Sequence, residues 1–409
     1  MIFKPILALV GAAGVMFAVS PVSGQTTACP TTATACSDTA SLPNPIYLAG
    51  SSAFEPILSQ LAVQISRAQG VSIIYQPISS CNGVSAVSPP ADLPVPQPLT
   101  GTADYYLTNK TDPTKVDICN CNLAGNTMAA IGVSDVAFES CQTTARPATI
   151  GEWFGPEQAM LIVVPKANLT TTALSAEQAA AIWGCGKYQG FTDPNAIQQR
   201  SATSGTQIQI AKNIGVPEVS FVGHPNGSSS AMLTSLLSVA DPQTAIGFVA
   251  NDFYDTKRSV LNSVAFQGKG QNKAYYADSD SIADDLLNVR EGRYMIQGPL
   301  HFFSTLTAGA PSASAALVIN WLTGAAPIDP SKPGSYVTTV ATSGDVPQCA
   351  MKVKLDKDGG YFSPYVPPVS CHCAFQKAKN VRLPAGACPV CKADTDCSGG
   401  LKCQTGYCE

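Results

Sequence analysis

Arg200-Ser-Ala-Thr-Ser-Gly-Thr206 runs directly into Gln207-Ile-Gln-Ile-Ala211, a small-residue turn followed by apolar residues at helical spacing. That combination suits anion capture. The first N–H groups of a helix have no intrahelical partner, the aligned peptide dipoles add about half a positive charge, and a glycine lets backbone approach a ligand closely. Ser204 and Thr206 bring hydroxyl donors, Gly205 the close approach and Arg200 a permanent cation. Three more loops carry similar small polar residues: Gly50-Ser-Ser-Ala-Phe54, Ser79-Ser80 before Asn82-Gly83, and Ser134-Asp135. Taken singly, each reads as well as a turn or a helix cap. Their recurrence beside an arginine loop favours a shared binding site.

The elements that would position these loops follow from periodicity. Ile46-Tyr-Leu-Ala49 reads as a strand, Gly50-Ser-Ser52 as a turn, and the chain from Phe54 as a helix with Ile57, Leu58, Leu61 and Ile65 on one face. Val71-Ser-Ile-Ile-Tyr75 is a second strand, and Ser79-Ser-Cys-Asn-Gly83 a polar turn after it. Strand, turn, helix and strand in that order imply a parallel sheet with ligand loops at the strands' carboxyl ends. Met128–Val133, Met160–Val164 and Ala245–Val249 read as further buried strands, and Ser175-Ala-Glu-Gln178 as the cap of a short helix. Tyr294–Leu300 could carry the chain back to the first lobe. The proline-rich stretch Ser88–Thr100 reads as an inserted loop, because proline cannot pair within a central sheet.

Composition bounds the rest. Met1–Gly24 has one lysine, an apolar run from Ile6 to Val19 and small residues suited to cleavage, the pattern of an export signal. The run is short for a membrane span, and no later segment approaches the ~20 apolar residues one needs. Without Lys4 the formal charge of −4 becomes −5, sparse and unclustered, which argues against nucleic acid as a partner. It does not exclude an oxyanion, since distant charges are screened over about 8–10 Å while dipoles and one arginine act at contact. Residues 25–45 are Thr/Ala/Ser/Pro-rich and read as an exposed leader in which Cys29 and Cys36 could close a short loop.

All 15 cysteines lie beyond the signal, so most should be paired in an oxidising compartment, with at least one left over because the number is odd. Seven of them fall after Ser370, in a tail with almost no apolar periodicity that must be held by cross-links. Uneven spacing favours disulfides there over zinc bound by Cys388-Pro-Val-Cys391 and His372, and Asp394 and Asp396 read as solvated loop residues.

Together, Tyr47-Leu-Ala-Gly-Ser-Ser-Ala-Phe54, Tyr75-Gln-Pro-Ile-Ser-Ser80 with Gly83-Val84, Gly132-Val-Ser-Asp135, Arg200-x-x-x-Ser-Gly-Thr206 and Ala245-Ile-Gly-Phe-Val249 resemble the phosphate-binding proteins of ABC importers. The resemblance spans roughly residues 46–350 and rests on the shared order of short motifs. It implies an α/β, two-lobed periplasmic-binding-protein fold of type II with a ligand cleft, here followed by a small disulfide-rich module. The implied ligand set is Ser52, Ala53, Phe54, Ser80, Asp135, Arg200, Ser204, Gly205 and Thr206. Ala53 and Phe54 would give backbone N–H groups, Ser80 its N–H and hydroxyl, Ser204, Gly205 and Thr206 the helix-end donors, and Arg200 the charged clamp. Asp135 would accept the proton that phosphate carries near neutral pH and sulfate lacks. The family usually has an acidic residue two positions after the arginine. Here that position is Ala202, which leaves open another oxyanion, a small organic phosphate or an acid.

The resulting expectation is a signal over residues 1–24, a leader over 25–45, a first lobe over 46–160, a second over 161–290, a return over 291–350, a linker over 351–370 and a Cys-rich module over 371–409. The chain would be an exported bacterial monomer of the periplasm or cell surface, delivering its anion to an ABC-type permease. No metal or cofactor is expected. Cys81 is expected to pair with Cys119, Cys121 or Cys141. An enzyme is not expected: there is no Gly-x-Ser-x-Gly elbow or phosphate-binding Walker loop, His224 reads as a loop residue, and His301, in an apolar run, as a satisfied core residue. The alternative is a surface or adhesion protein on the same fold, with the Cys-rich tail as its interaction module.

Overall fold

A computed structural model describes residues 29–38, 42–89, 95–326 and 335–409. The expected export signal, the first residues of the leader and part of the proline-rich insertion lie outside them. Along the chain run β1 (Ile46–Gly50), α1 (Glu55–Gln69), β2 (Ile73–Pro77), α2 (Ser80–Val87), β3 (Thr102–Thr108), β4 (Val116–Asn122), β5 (Ile131–Ser134), α3 (Phe138–Cys141) and β6 (Ile150–Pro165). Then follow β7 (Ala173–Ser175), α4 (Ala176–Cys185), β8 (Gln198–Arg200), α5 (Gly205–Ile214), β9 (His224–Asn226), α6 (Ser229–Ser238), β10 (Gly247–Ala250), α7 (Asn251–Asp255), β11 (Leu261–Ser263) and β12 (Ala265–Gln267). The last sheet elements are β13 (Gln297–Thr305), β14 (Val353–Leu355) and β15 (Phe362–Pro364).

The architecture is mixed α/β. β1 is paired in parallel with β2 on one side and β5 on the other, so the loops after all three strands leave the sheet at the same end. β13 runs antiparallel to β5 and carries the chain back into this sheet. The 16-residue β6 joins two groups of strands: its first part, from Ile150 to Ala159, pairs with β13, and its last part, from Met160 to Pro165, with β10 and β11. One strand therefore serves the parallel group that carries α1 and α2 and the second group that carries α5 and α6.

Local chemistry explains the elements. Ile57, Leu58, Leu61 and Ile65 are the fully buried face of α1, which ends at Gly70 in the left-handed conformation. Ser175 and Gln178 form the reciprocal capping box at the start of α4. Trp183 packs against Phe221 and Phe248, and its indole N–H donates to the Gln198 carbonyl at 3.1 Å, which fixes the base of β8. Ser79-Ser-Cys-Asn-Gly83 is helical rather than a turn from Ser80 onward. The turn is compressed into Ser79, at φ +91°, because Gly83 lets α2 lie on β1 and β5: a Cβ there would sit 2.5 Å from Gly50 Cα and 2.6 Å from the Val133 carbonyl oxygen.

Seven disulfides use 14 of the cysteines and leave Cys185 free and exposed. Cys81 pairs with Cys141, one of the three expected partners. The Cys29–Cys36 loop does not form. Cys29 bonds Cys119 and Cys36 bonds Cys121, so the leader is stitched along β4: Cys36 is buried, while residues 30–34 are exposed. Alternation explains this: Cys119 and Cys121 share one face of β4 and can both reach a segment laid beside it. The two bonds close nearly the same loop, 90 and 85 residues long. Replacing both pairs by serine is expected to cost roughly 4–5 kcal/mol of unfolding free energy, while replacing one pair costs much less, because the other still closes the loop. Denaturant titration of the three variants checks this; equal additive losses would contradict it.

The tail holds Cys373–Cys388, Cys391–Cys403 and Cys397–Cys408 and is tied to the body by Cys349–Cys371. The sulfurs of Cys391, Cys397 and Cys408 lie within 4.8 Å of one another, yet each is in a disulfide. His372 sits against the Arg290 guanidinium, and burial together with that charge holds its pKa near 4. Asp394 and Asp396 accept backbone N–H bonds from Cys403 and from Lys392 and Ala393, so they brace the module. The buried Lys379 ion-pairs with Asp255 and Asp284 and docks the tail on the body.

Candidate functional site

The loops after β1, β2 and β5 meet the β8–α5 loop. Ser80, the first residue of α2, is the junction: its hydroxyl donates to Asp135 Oδ2 at 3.2 Å and accepts from the Gly205 N–H at 3.1 Å and the Asp135 N–H at 3.3 Å. Gly205 is the first residue of α5, so the two helix starts point at one place. The Thr203 carbonyl accepts from the Cys81 N–H at 3.1 Å and closes the seam.

Arg200 ends β8 and is only 3 % exposed. Its Nη1 donates to Ser229 Oγ at 3.0 Å, and its Nη2 to Ser52 Oγ at 3.1 Å and to the Gly227 carbonyl at 3.3 Å. Its backbone N–H donates to Gln207 Oε1 at 2.8 Å, which fixes the β8–α5 turn. Burial lowers the guanidinium pKa to about 10, against the opposing pull of Asp135, so it stays charged at neutral pH. Burial likewise raises the Asp135 carboxyl above the usual carboxylate range, opposed by the neighbouring Ser51 and Ser80 hydroxyls and by the Arg200 charge.

Ser80, Asp135, Arg200, Ser204, Gly205 and Thr206 are brought together and buried, with Ser52 at their edge. Ala53 and Phe54 sit beside them, but in this structure their N–H groups turn inward: Ala53 donates to Ser51 Oγ at 3.1 Å and Phe54 to the Ser51 carbonyl at 3.3 Å. The expected backbone donors are thus occupied by a helical turn that Ser51 caps. Two groups escaped the sequence reading. Ser229 holds the guanidinium, and its signal was a second small-residue helix start, Gly227-Ser-Ser-Ser230. Gln207 holds the arginine backbone, and nothing in its spacing distinguishes it from other glutamines.

Three buried polar atoms here have no hydrogen-bond partner among the described residues: Arg200 Nε, Thr206 Oγ1 and Asp135 Oδ1. Buried polar groups are ordinarily paired, and leaving one unpaired costs about 1–3 kcal/mol. A charged donor, a hydroxyl and a carboxylate acceptor form a mixed set. It complements an oxyanion that also carries a proton.

No protein-family model matches the chain, and no curated protein matches it. Among solved structures, a putative phosphate ABC transporter substrate-binding protein from Clostridium perfringens with bound phosphate is 13 % identical, over 74 % of this chain and 99 % of that one, with a TM-score of 0.48. A high-affinity periplasmic phosphate-binding protein is 13 % identical over 83 % and 94 % of the two chains, with a TM-score of 0.47. An ABC-type phosphate transport receptor from Vibrio cholerae is 17 % identical over 74 % and 99 %, with a TM-score of 0.43. These are loose overall likenesses, and the chemistry of the site rests on this chain's own residues.

Proposed function

We propose that this chain is an exported solute-binding protein that holds phosphate or a similar protonated oxyanion between the β1, β2 and β5 loops and the β8–α5 loop, and delivers it as a monomer to an ABC-type importer. The observation that carries the reading is the unpaired set of Arg200 Nε, Thr206 Oγ1 and Asp135 Oδ1, buried at the start of α5. Ser52, Ser80, Ser204 and Gly205 complete the wall, and Ala53 and Phe54 would contribute N–H groups only if the Ser51 turn rearranged. Seven disulfides fit an oxidising compartment, and no helix among the described residues is long and apolar enough to cross a membrane. Calorimetric titration of protein stripped of anion by partial unfolding and dialysis tests the reading. Micromolar phosphate binding supports it; no heat and no thermal shift with phosphate, sulfate or a small organic phosphate would sink it.

Asp135 governs selectivity in this scheme. Asp135→Asn removes the proton acceptor and the repulsion of a fully ionised anion, so sulfate affinity is expected to rise while phosphate affinity falls. The same substitution has a signed effect on stability. A carboxyl whose pKa is raised on folding stabilises the fold while protonated, below the usual carboxylate range, and that contribution is lost as pH rises through its folded pKa. Asp135→Asn should therefore raise Tm at neutral pH and leave it nearly unchanged in acid. A Tm gain that does not depend on pH would contradict the assignment.

A further inference from the structure

A cavity of about 500 Å³ lies between β6, β13 and the β14–β15 hairpin, on the far side of the Asp358 wall from the anion site. Glu157 lines it from β6 and is 3 % exposed. Its Oε2 accepts one bond from the Gln348 amide, at 3.2 Å, while its Oε1 has no partner. His301 lines the same cavity, on the same face of β13 as Pro299. Its Nδ1 is paired with Glu152 Oε1 at 2.8 Å, and its buried Nε2 has no partner. His301 is therefore only half satisfied, and the expectation of a satisfied core histidine is corrected. Alternation along β13 puts His301 on the cavity side with Pro299, and the extra residue that β6 carries opposite them brings Phe154 to the same side as Glu157.

We infer that this cavity is a binding site for a small organic cation, whose ammonium group pairs with Glu157 and whose apolar body lies against Phe154. The carboxylates inside are not equivalent. Glu152 is answered by His301 and by Arg146 at 3.2 Å. Asp358 accepts from the Ala137 N–H at 2.8 Å, from the Ser140 hydroxyl and from Gln209 Nε2 at 3.2 Å. Of these three carboxylates, Glu157 is the one with neither a cation nor a second donor among the described residues, so a cation from outside gains most there. Phe154 leaves 44 % of its surface exposed and already attracts one cation, with Lys354 Nζ 5.5 Å from the ring centroid. Glu139, Asp356, Lys354 and Lys357 are exposed at the rim and are screened by solvent.

Burial, with Asp358 adding to it, pushes the Glu157 pKa up to about 8, so below that pH a bound ammonium must displace a proton. Affinity should then rise about tenfold from pH 7 to pH 9, as the ionised fraction climbs from roughly a tenth to nine-tenths. Glu152, Asp358, His301 and Tyr365 line the cavity with Glu157, beside the rim residues Glu139, Lys354, Asp356 and Lys357.

The test is calorimetric titration of the full mature protein with phenethylammonium, with 2-phenylethanol as the uncharged comparison. Saturable binding by the ammonium is expected, weakened at least about tenfold in Glu157→Gln and about threefold or more in Phe154→Ala, with the alcohol binding at least about tenfold less tightly. Glutamine mimics the protonated side chain that Glu157 carries at neutral pH, so that variant should fold, and circular dichroism checks it. Phe154→Ala, at an exposed position, keeps the test decisive should Glu157→Gln fail. Absence of binding at about 10 mM ammonium, equal binding of the alcohol, or indifference to the substitutions overturns the inference.

Discussion

Arg200→Ala is expected to weaken phosphate binding by at least about a hundredfold in calorimetric titration. The guanidinium is buried beside a helix start, where water cannot take over its role, and a charge-assisted hydrogen bond contributes about 1.5–3 kcal/mol. Losing two such bonds amounts to roughly 3–6 kcal/mol, or a factor of about 10²–10⁴. Part of the loss is indirect. Arg200 Nη2 also bonds Ser52, so alanine removes a link between the β8–α5 loop and the loop after β1. Arg200→Lys separates the contributions: it keeps the charge but lacks the fork that reaches Ser229, Ser52 and the Gly227 carbonyl together. Its affinity should fall between wild type and alanine. A phosphate Kd within about threefold of wild type in Arg200→Ala would remove this cluster as the anion site.

What the sequence made legible depended on whether an interaction was local. Amphipathic spacing placed α1 and its buried face, and the capping box placed α4, because both are set within a few residues. Ser80, Asp135 and Gly205 could be grouped with Arg200 from their small polar and charged types and the order of their motifs, and the first three are joined by hydrogen bonds through the Ser80 hydroxyl. Long-range pairing was not legible. Cys29 and Cys36 are 90 and 85 residues from their partners, and no spacing distinguishes such bonds from a local loop. His301 failed for a related reason: its apolar flanks gave its burial correctly, but the cavity its face of β13 lines is built by β6 and by the distant β14–β15 hairpin.

The segment between Lys354 and Tyr365 changes how the site should be understood. Asp358, on the loop between β14 and β15, joins Ala137 and Ser140 at the start of α3 to Gln209 on α5, and Gln209 in turn donates to the Asp135 carbonyl at 3.2 Å. Gly359 lies so close to α5 that a Cβ would stand 2.7 Å from Lys212 Cβ. A segment read as a linker thus braces the β5 loop against α5. The anion site and the Glu157 cavity share this wall, since Asp358 lines the cavity and holds the helix whose start faces Asp135.

Gly205→Ala should separate binding from folding. Gly205 is the first residue of α5 and its φ is not positive, so alanine imposes no backbone strain and is the better helix former. Taken alone, the helix would gain a few tenths of a kcal/mol. Across the seam the result reverses. A Cβ there would stand 2.4 Å from Ser80 Oγ, 2.8 Å from Asp135 Cβ and 2.9 Å from Asp135 Oδ2, all on buried side chains with no room to retreat. Overpacking of this kind costs about 1–3 kcal/mol, and it arises only when α5 sits against α2 and the β5 loop. If anion capture requires that contact, phosphate affinity should fall about five- to 150-fold while the Tm of the anion-free protein stays nearly constant. A matching loss of Tm would mean that the seam is permanent packing. Unchanged affinity would mean that the anion is bound without the contact between Gly205 and Ser80, and the proposed cleft would have to be abandoned.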